Sequence, residues 1–211
     1  MSVFISSINY CPVKSVSFQR INSCEIKKNV GIVGDRIFAF SKGLDSNQAQ
    51  LFEKNLEERR GKWNKILTLK NTPLLNKYNF IFNNKKLTLT QNDKEIITVN
   101  SDERSEYELL SNKILKLENS LQKPLFLMKN INIPFFDTSI SNKTLLTHSL
   151  SLINNKSIKD FEDKTNQEIE TKRFRGNIYV DGIEAWEERN WIGKIIKINN
   201  ISFKVEKNIP R

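Results

Sequence analysis

Apolar and polar residues alternate over short stretches through most of the first half of the chain, the period of half-buried β-strands. Val3, Ile5 and Ile8 mark an opening strand that ends at a turn around Pro12. A second stretch runs through Val16 and Phe18 to the Ile21–Ile26 region. A third covers Arg36 to Phe40, introduced by Gly31 and Gly34. Phe80-Ile81-Phe82, then Asn83-Asn84, then Lys85 to Thr90 predicts a hairpin, because asparagine tolerates the left-handed backbone of a two-residue turn. Between these strands Leu51, Phe52 and Leu56 fall at helical spacing and predict a short amphipathic helix within residues 47–60.

The second half is mixed. Tyr107, Leu110, Ile114 and Leu117 recur every three to four residues and predict a helix over about 106–119. Pro124 to Met128 reads as a buried strand. Residues 150–161 carry a broken helical pattern, with Ser149 or Ser151 as N-cap. Ile178-Tyr179-Val180 reads as a strand, and Ile195–Ile198, Asn199-Asn200, Ile201–Val205 as a second hairpin. The expected fold is mixed and mainly β with a few helices, in two domains, 1–104 and 105–211, divided at the polar stretch near 100–106.

At 211 residues and 38% hydrophobic the chain can build a core. No apolar run approaches the roughly 20 residues of a membrane helix, and no secretory leader is visible. The expectation is a soluble, cytoplasmic protein without membrane contact. Cys11 and Cys24 are too few for a disulfide framework or a four-cysteine zinc site. The net charge of +10 favours anionic partners. However, no block of five or more basic residues appears, and Arg59-Arg60 and Lys85-Lys86 read as solvated pairs, so nucleic acid is not expected as a partner.

Three basic turns stand beside strands: Pro12-Val13-Lys14-Ser15, Gly31-Ile32-Val33-Gly34-Asp35-Arg36 and Arg173-Phe174-Arg175-Gly176-Asn177. Each combines a cation, a flexible or proline-fixed backbone and a short polar side chain, which suits an oxyanion. None matches a P-loop or a dinucleotide fingerprint, and each turn taken alone is more often structural. In this order, together with Phe136-Asp137, Leu145-Leu146-Thr147 and Trp186-Glu187-Glu188 before the last hairpin, they resemble the MOSC family. The form resembled has an N-terminal β-barrel domain ahead of the MOSC β-barrel, as in the amidoxime-reducing component and the C-terminal region of molybdenum cofactor sulfurase. Residues 42–105 match only loosely. Cys11 stands as an insertion before Pro12, and Gly176 replaces the family's proline.

That resemblance implies a molybdenum cofactor (molybdopterin) site between the two domains, contacted by Lys14, Ser15, Arg36, Thr147, His148, Arg175, Asn177 and Arg211. It implies reduction of N-hydroxylated or N-oxide compounds, with electrons from a separate donor protein. The non-catalytic alternative it implies is a cofactor or sulfur carrier, and the family is also linked with pyridoxal phosphate. A nucleic-acid-binding barrel, motivated by charge alone, is the weakest reading. In the family a cysteine ligating molybdenum directly follows an arginine after the last hairpin, whereas here Arg211 is the final residue. The expectation is therefore a truncated sequence, or else a shortened, cofactor-impaired protein, with no residue assigned to the metal. Cys11 is expected to be packed rather than a substitute ligand, and Cys24 to lie within a strand. Glu187 and Glu188, read as strand neighbours, would face opposite ways and form no acid pair.

Overall fold

The computed structural model describes residues 2–28, 30–136 and 149–209. Strands outnumber helices, as the alternating pattern predicts, and the described strands are grouped into one four-stranded, one three-stranded and three two-stranded open sheets. No helix among the described residues is long and apolar enough to cross a membrane. The chain divides into two compact units, one of Met1–Asn9, Arg20–Ser23 and Leu150–Arg211, the other of Tyr10–Gln19 and Cys24–Ser149. The polar segment at 100–106 lies inside the larger unit. It leads from a strand into a helix, and both bury their apolar faces in one core.

Short strands introduce the chain: β1 (Phe4–Tyr10), β2 (Gln19–Ile21), β3 (Ile26–Lys27), β4 (Gly31–Ile32) and β5 (Phe38–Phe40). Cys24 falls between β2 and β3, not within a strand, and burial raises its thiol pKa. The larger unit continues through helices α1 (Ser46–Lys54) and α2 (Leu56–Arg59) to a meander of β6 (Tyr78–Asn83), β7 (Lys86–Gln91) and β8 (Lys94–Asn100). The first meander turn is Asn84-Lys85, one residue later than expected, and both residues have positive φ. Asn92-Asp93 repeats that geometry before β8, a strand the sequence pattern did not suggest. Leu87 and Leu89 point inward and are fully buried, while Thr88 faces outward and shares a 2.8 Å hydroxyl bond with Thr98. α3 (Arg104–Leu117) closes this core with Tyr107, Leu110 and Ile114; Leu117, counted on the same face, is exposed. Each such buried side chain contributes about 1.5–3 kcal/mol of apolar burial.

β9 (Leu127–Lys129) pairs antiparallel with β5. Alternation on β5 serves two cores: Phe38 and Phe40 enter the meander core, whereas Ala39 joins Phe52, Ile66, Met128 and Phe135 in a second. Arg59 belongs to the interior as well. Read from sequence as half of a solvated pair, it is 1% exposed, while Arg60 is exposed. Its guanidinium donates to the carbonyls of Phe52 (2.5 Å), Glu53 (2.7 Å), Ile133 (2.8 Å) and Pro134 (3.2 Å) and lies over the Phe135 ring. Burial pulls its pKa down to about 10, which leaves it charged at neutral pH. A planar fork can bind four carbonyls at once, which is why the residue is tolerated there.

In the smaller unit β10 (Leu152–Asn154) runs into α4 (Asn155–Thr165), and β11 (Ile178–Asp181) returns parallel to β10 while pairing antiparallel with β1. The helix N-cap is Asn154, whose side chain accepts the Lys156 N–H, rather than Ser149 or Ser151; the preceding residues are drawn into a strand. β12 (Ile195–Ile198) and β13 (Ile201–Lys204) form the expected last hairpin.

Candidate functional site

The Pro12 and Gly-Asp-Arg segments of the larger unit are laced together by their backbones. Cys11 C=O accepts the Arg36 N–H (2.7 Å), Pro12 C=O accepts the Phe38 N–H (3.0 Å), and Phe38 C=O accepts the Lys14 N–H (2.8 Å). Proline serves here because only its carbonyl is used. The Ser17 hydroxyl accepts the Val13 N–H (2.9 Å) and donates to the Val13 carbonyl (3.0 Å), closing a tight turn around Ser15. Ser15 and Arg36 both have left-handed backbone, at φ 66° and 54°. Outside hairpin turns and helix ends, this conformation in side-chain-bearing residues marks places where the surroundings impose it. Gly34, at φ 90°, lies so close to Tyr10 that a Cβ would stand 3.2 Å from its ring.

Asp35 is completely buried. Its carboxylate accepts the Cys11 N–H (2.7 Å) and pairs with the Arg36 guanidinium. That guanidinium lies over the Phe136 ring, 5.0 Å from the centroid, and the Arg36 carbonyl accepts the Phe135 N–H (2.8 Å). Burial, and then the negative charge of Asp35, push the Tyr10 phenol to about 12, so it remains a donor, to the Phe82 carbonyl at 2.8 Å. Lys14 is 8% exposed and Cys11 1%, in keeping with a packed cysteine. The larger unit thus holds Lys14, Ser15 and Arg36 on two adjoining segments.

In the smaller unit the residues 171–174 form one turn of 3-10 helix, and Arg175 follows in left-handed backbone at φ 50°. The Gly176 N–H donates to the Tyr179 hydroxyl (3.1 Å), which itself donates to the Thr171 carbonyl (3.0 Å). A proline at 176 would lack that donor, and even a Cβ there would stand 2.5 Å from the end of Ile153. Asn177 is 2% exposed and interlocked with its surroundings. Its side-chain oxygen accepts from the Ser151 N–H (3.2 Å) and hydroxyl (3.0 Å), and its amide donates to the Asn9 carbonyl (3.2 Å). Its backbone binds Ser151 and Asn9 as well.

The Trp186 segment is a second knot of the same kind. Glu187 and Glu188 open a 3-10 helix, Glu187–Trp191, not the strand read from sequence. The Glu188 carboxylate accepts from the Ser157 hydroxyl (2.8 Å) and the Asn154 amide (2.9 Å). The Trp186 indole donates to Asp160 (2.5 Å). These groups tie the start of α4 to the loop after β11.

Of the residues expected to hold a cofactor, Lys14, Ser15 and Arg36 are together in the larger unit, and Arg175 and Asn177 are close in sequence in the smaller one. Thr147, His148 and Arg211 lie outside the described residues, as does Asp137. Sequence reasoning missed Asp35 and Phe136 as partners of Arg36, although both lie in the motifs it singled out. An ammonium, a guanidinium and a hydroxyl on laced backbone suit a phosphate ester. They do not supply a soft metal ligand, and among the described residues no group of three or more His, Cys, Asp or Glu could hold a metal ion.

No curated protein matches the chain. The family model of the MOSC domain matches residues 141–211, which include Arg175 and Asn177, and thereby relates this last third of the chain to a domain associated with the molybdenum cofactor.

Proposed function

We propose that the protein binds the molybdenum cofactor by its phosphate-bearing pterin and acts as an oxidoreductase on N-hydroxylated or N-oxide compounds. What supports this reading most is the lacing of two separate basic segments, which brings Lys14, Ser15 and Arg36 onto adjoining backbone, in a chain whose last third matches the MOSC domain. Lys14 contributes a point charge, Arg36 a fork able to bind two oxygens, and Ser15 a hydroxyl. The cofactor, when bound, supplies a redox-active metal that passes electrons from a separate donor protein to an N–O bond. The chain's own part is to hold the phosphate end and orient the group. No described residue is assigned to the metal.

The test is to purify the full-length protein from a host that makes the cofactor and to measure molybdenum, and pterin by fluorescence after oxidative release. Near-equimolar pterin is expected in the wild type, falling about tenfold in Lys14→Gln and in Arg36→Lys, the loss of one good charged contact. A pterin-free wild type rejects the reading. Pterin without turnover of an N-hydroxylated substrate favours a carrier.

A further inference from the structure

An arginine that binds an anion from a mobile side chain must lose several rotatable bonds on binding, whereas one already fixed loses little. Arg36 is held from three directions. Its backbone is locked at φ 54° between the Cys11 carbonyl and the Phe135 N–H. Its guanidinium edge is taken by Asp35, a carboxylate with no exposure to solvent. Its guanidinium face lies on Phe136. The segment that carries Phe136 is itself fixed one step back, because Arg59 binds the carbonyls of Ile133 and Pro134 and lies over Phe135.

We infer that Asp35 and Phe136 are positioning residues that preset the Arg36 guanidinium for an anionic ligand, with Arg59 fixing the segment behind them. The inference rests on the proposed function for the identity of the ligand, but the presetting itself is a property of the protein alone. Asp35 has a second task, holding the Cys11 N–H, so loss of stability on its mutation would not by itself separate the two roles.

Two measurements do separate them. The first needs no cofactor. The Nη1 proton resonance of Arg36, the nitrogen that pairs with Asp35 and identified by its disappearance in Arg36→Gln, is expected to be resolved and slowly exchanging in the wild type. It is expected to exchange at least about tenfold faster in Asp35→Asn. A wild-type signal already averaged with bulk arginines, or one unchanged in Asp35→Asn, overturns the inference whatever the protein binds. The second is a double-mutant cycle on retained pterin. Asp35→Asn should lower retention about tenfold in the wild type and by less than twofold in the Arg36→Gln background, where no guanidinium remains to be set. Equal losses in both backgrounds mean that Asp35 acts on the fold alone, and the inference fails. Should Asp35→Asn not fold, Phe136→Leu removes the ring while keeping an apolar side chain. It must give the same faster exchange at Arg36, and an unchanged rate overturns the inference. A wild type without pterin rejects the proposed function and leaves the resonance measurement to decide the presetting.

Discussion

Arg36 and Asn177 were both expected to touch a ligand, and the fold treats them in opposite ways. Around Asn177 the bonds run inward: its amide oxygen, amide nitrogen and backbone bind Ser151 and Asn9, and the side chain is 2% exposed. Around Arg36 the bonds run to its flanks, the Asp35 carboxylate at its edge and Phe136 at its face, and the side chain keeps 17% of its exposure. One residue holds its neighbours, and the other is held by them. A polar residue in a functional motif can therefore serve as a fastening or as a tool, and only its partners distinguish the two.

The sharpest way to test that contrast is through fastenings. Arg59→Met strands four main-chain carbonyls in the interior, and should cost about 4 kcal/mol of stability in urea unfolding. A loss under about 1 kcal/mol would mean that those carbonyls find other partners. Asn177→Ala should cost about 3 kcal/mol, because the Ser151 N–H and the Asn9 carbonyl lose a buried partner together. If it left the melting temperature unchanged and abolished only pterin retention, Asn177 would be a tool and the contrast would collapse. Arg36→Gln should cost about 2–3 kcal/mol by leaving the Asp35 carboxylate buried without its cation. Adding Asp35→Asn to it should regain at least about 1 kcal/mol, since the uncompensated charge is then gone; no regain would show that the pair matters little to the fold. The smallest effect is expected away from both regions. At the Asn92-Asp93 turn both residues have positive φ, so Asp93→Gly should raise stability by about 0.5–1 kcal/mol, and a drop would exclude strain at that turn.

The sequence made the regular elements legible where their signal is local. The Asn-rich turns announced both hairpins, and the three-to-four spacing of Tyr107, Leu110 and Ile114 announced α3. Legibility failed where the deciding partner is remote. Ser151 read as a helix cap, but its hydroxyl and backbone are claimed by Asn177, and strand pairing with β11 extends the chain there instead. Arg59 read as solvent-facing because nothing in its neighbourhood reveals the carbonyls of Ile133 and Pro134. The basic turns that carry Lys14, Ser15 and Arg36 could be picked out from the sequence as segments. That Asp35 and Phe136 brace Arg36 could not, since the Phe136 contact joins residues 100 apart in the chain.

β5 gives the basic loops a further property. The amide and carbonyl of Phe38 bind Pro12 and Lys14, while its ring sits in the meander core and Ala39 enters the other. The scaffold under Lys14 is therefore continuous with the hydrophobic interior. Trimming Phe38 to leucine would be felt at a distance, as weakened anion capture by residues whose own chemistry had not been altered.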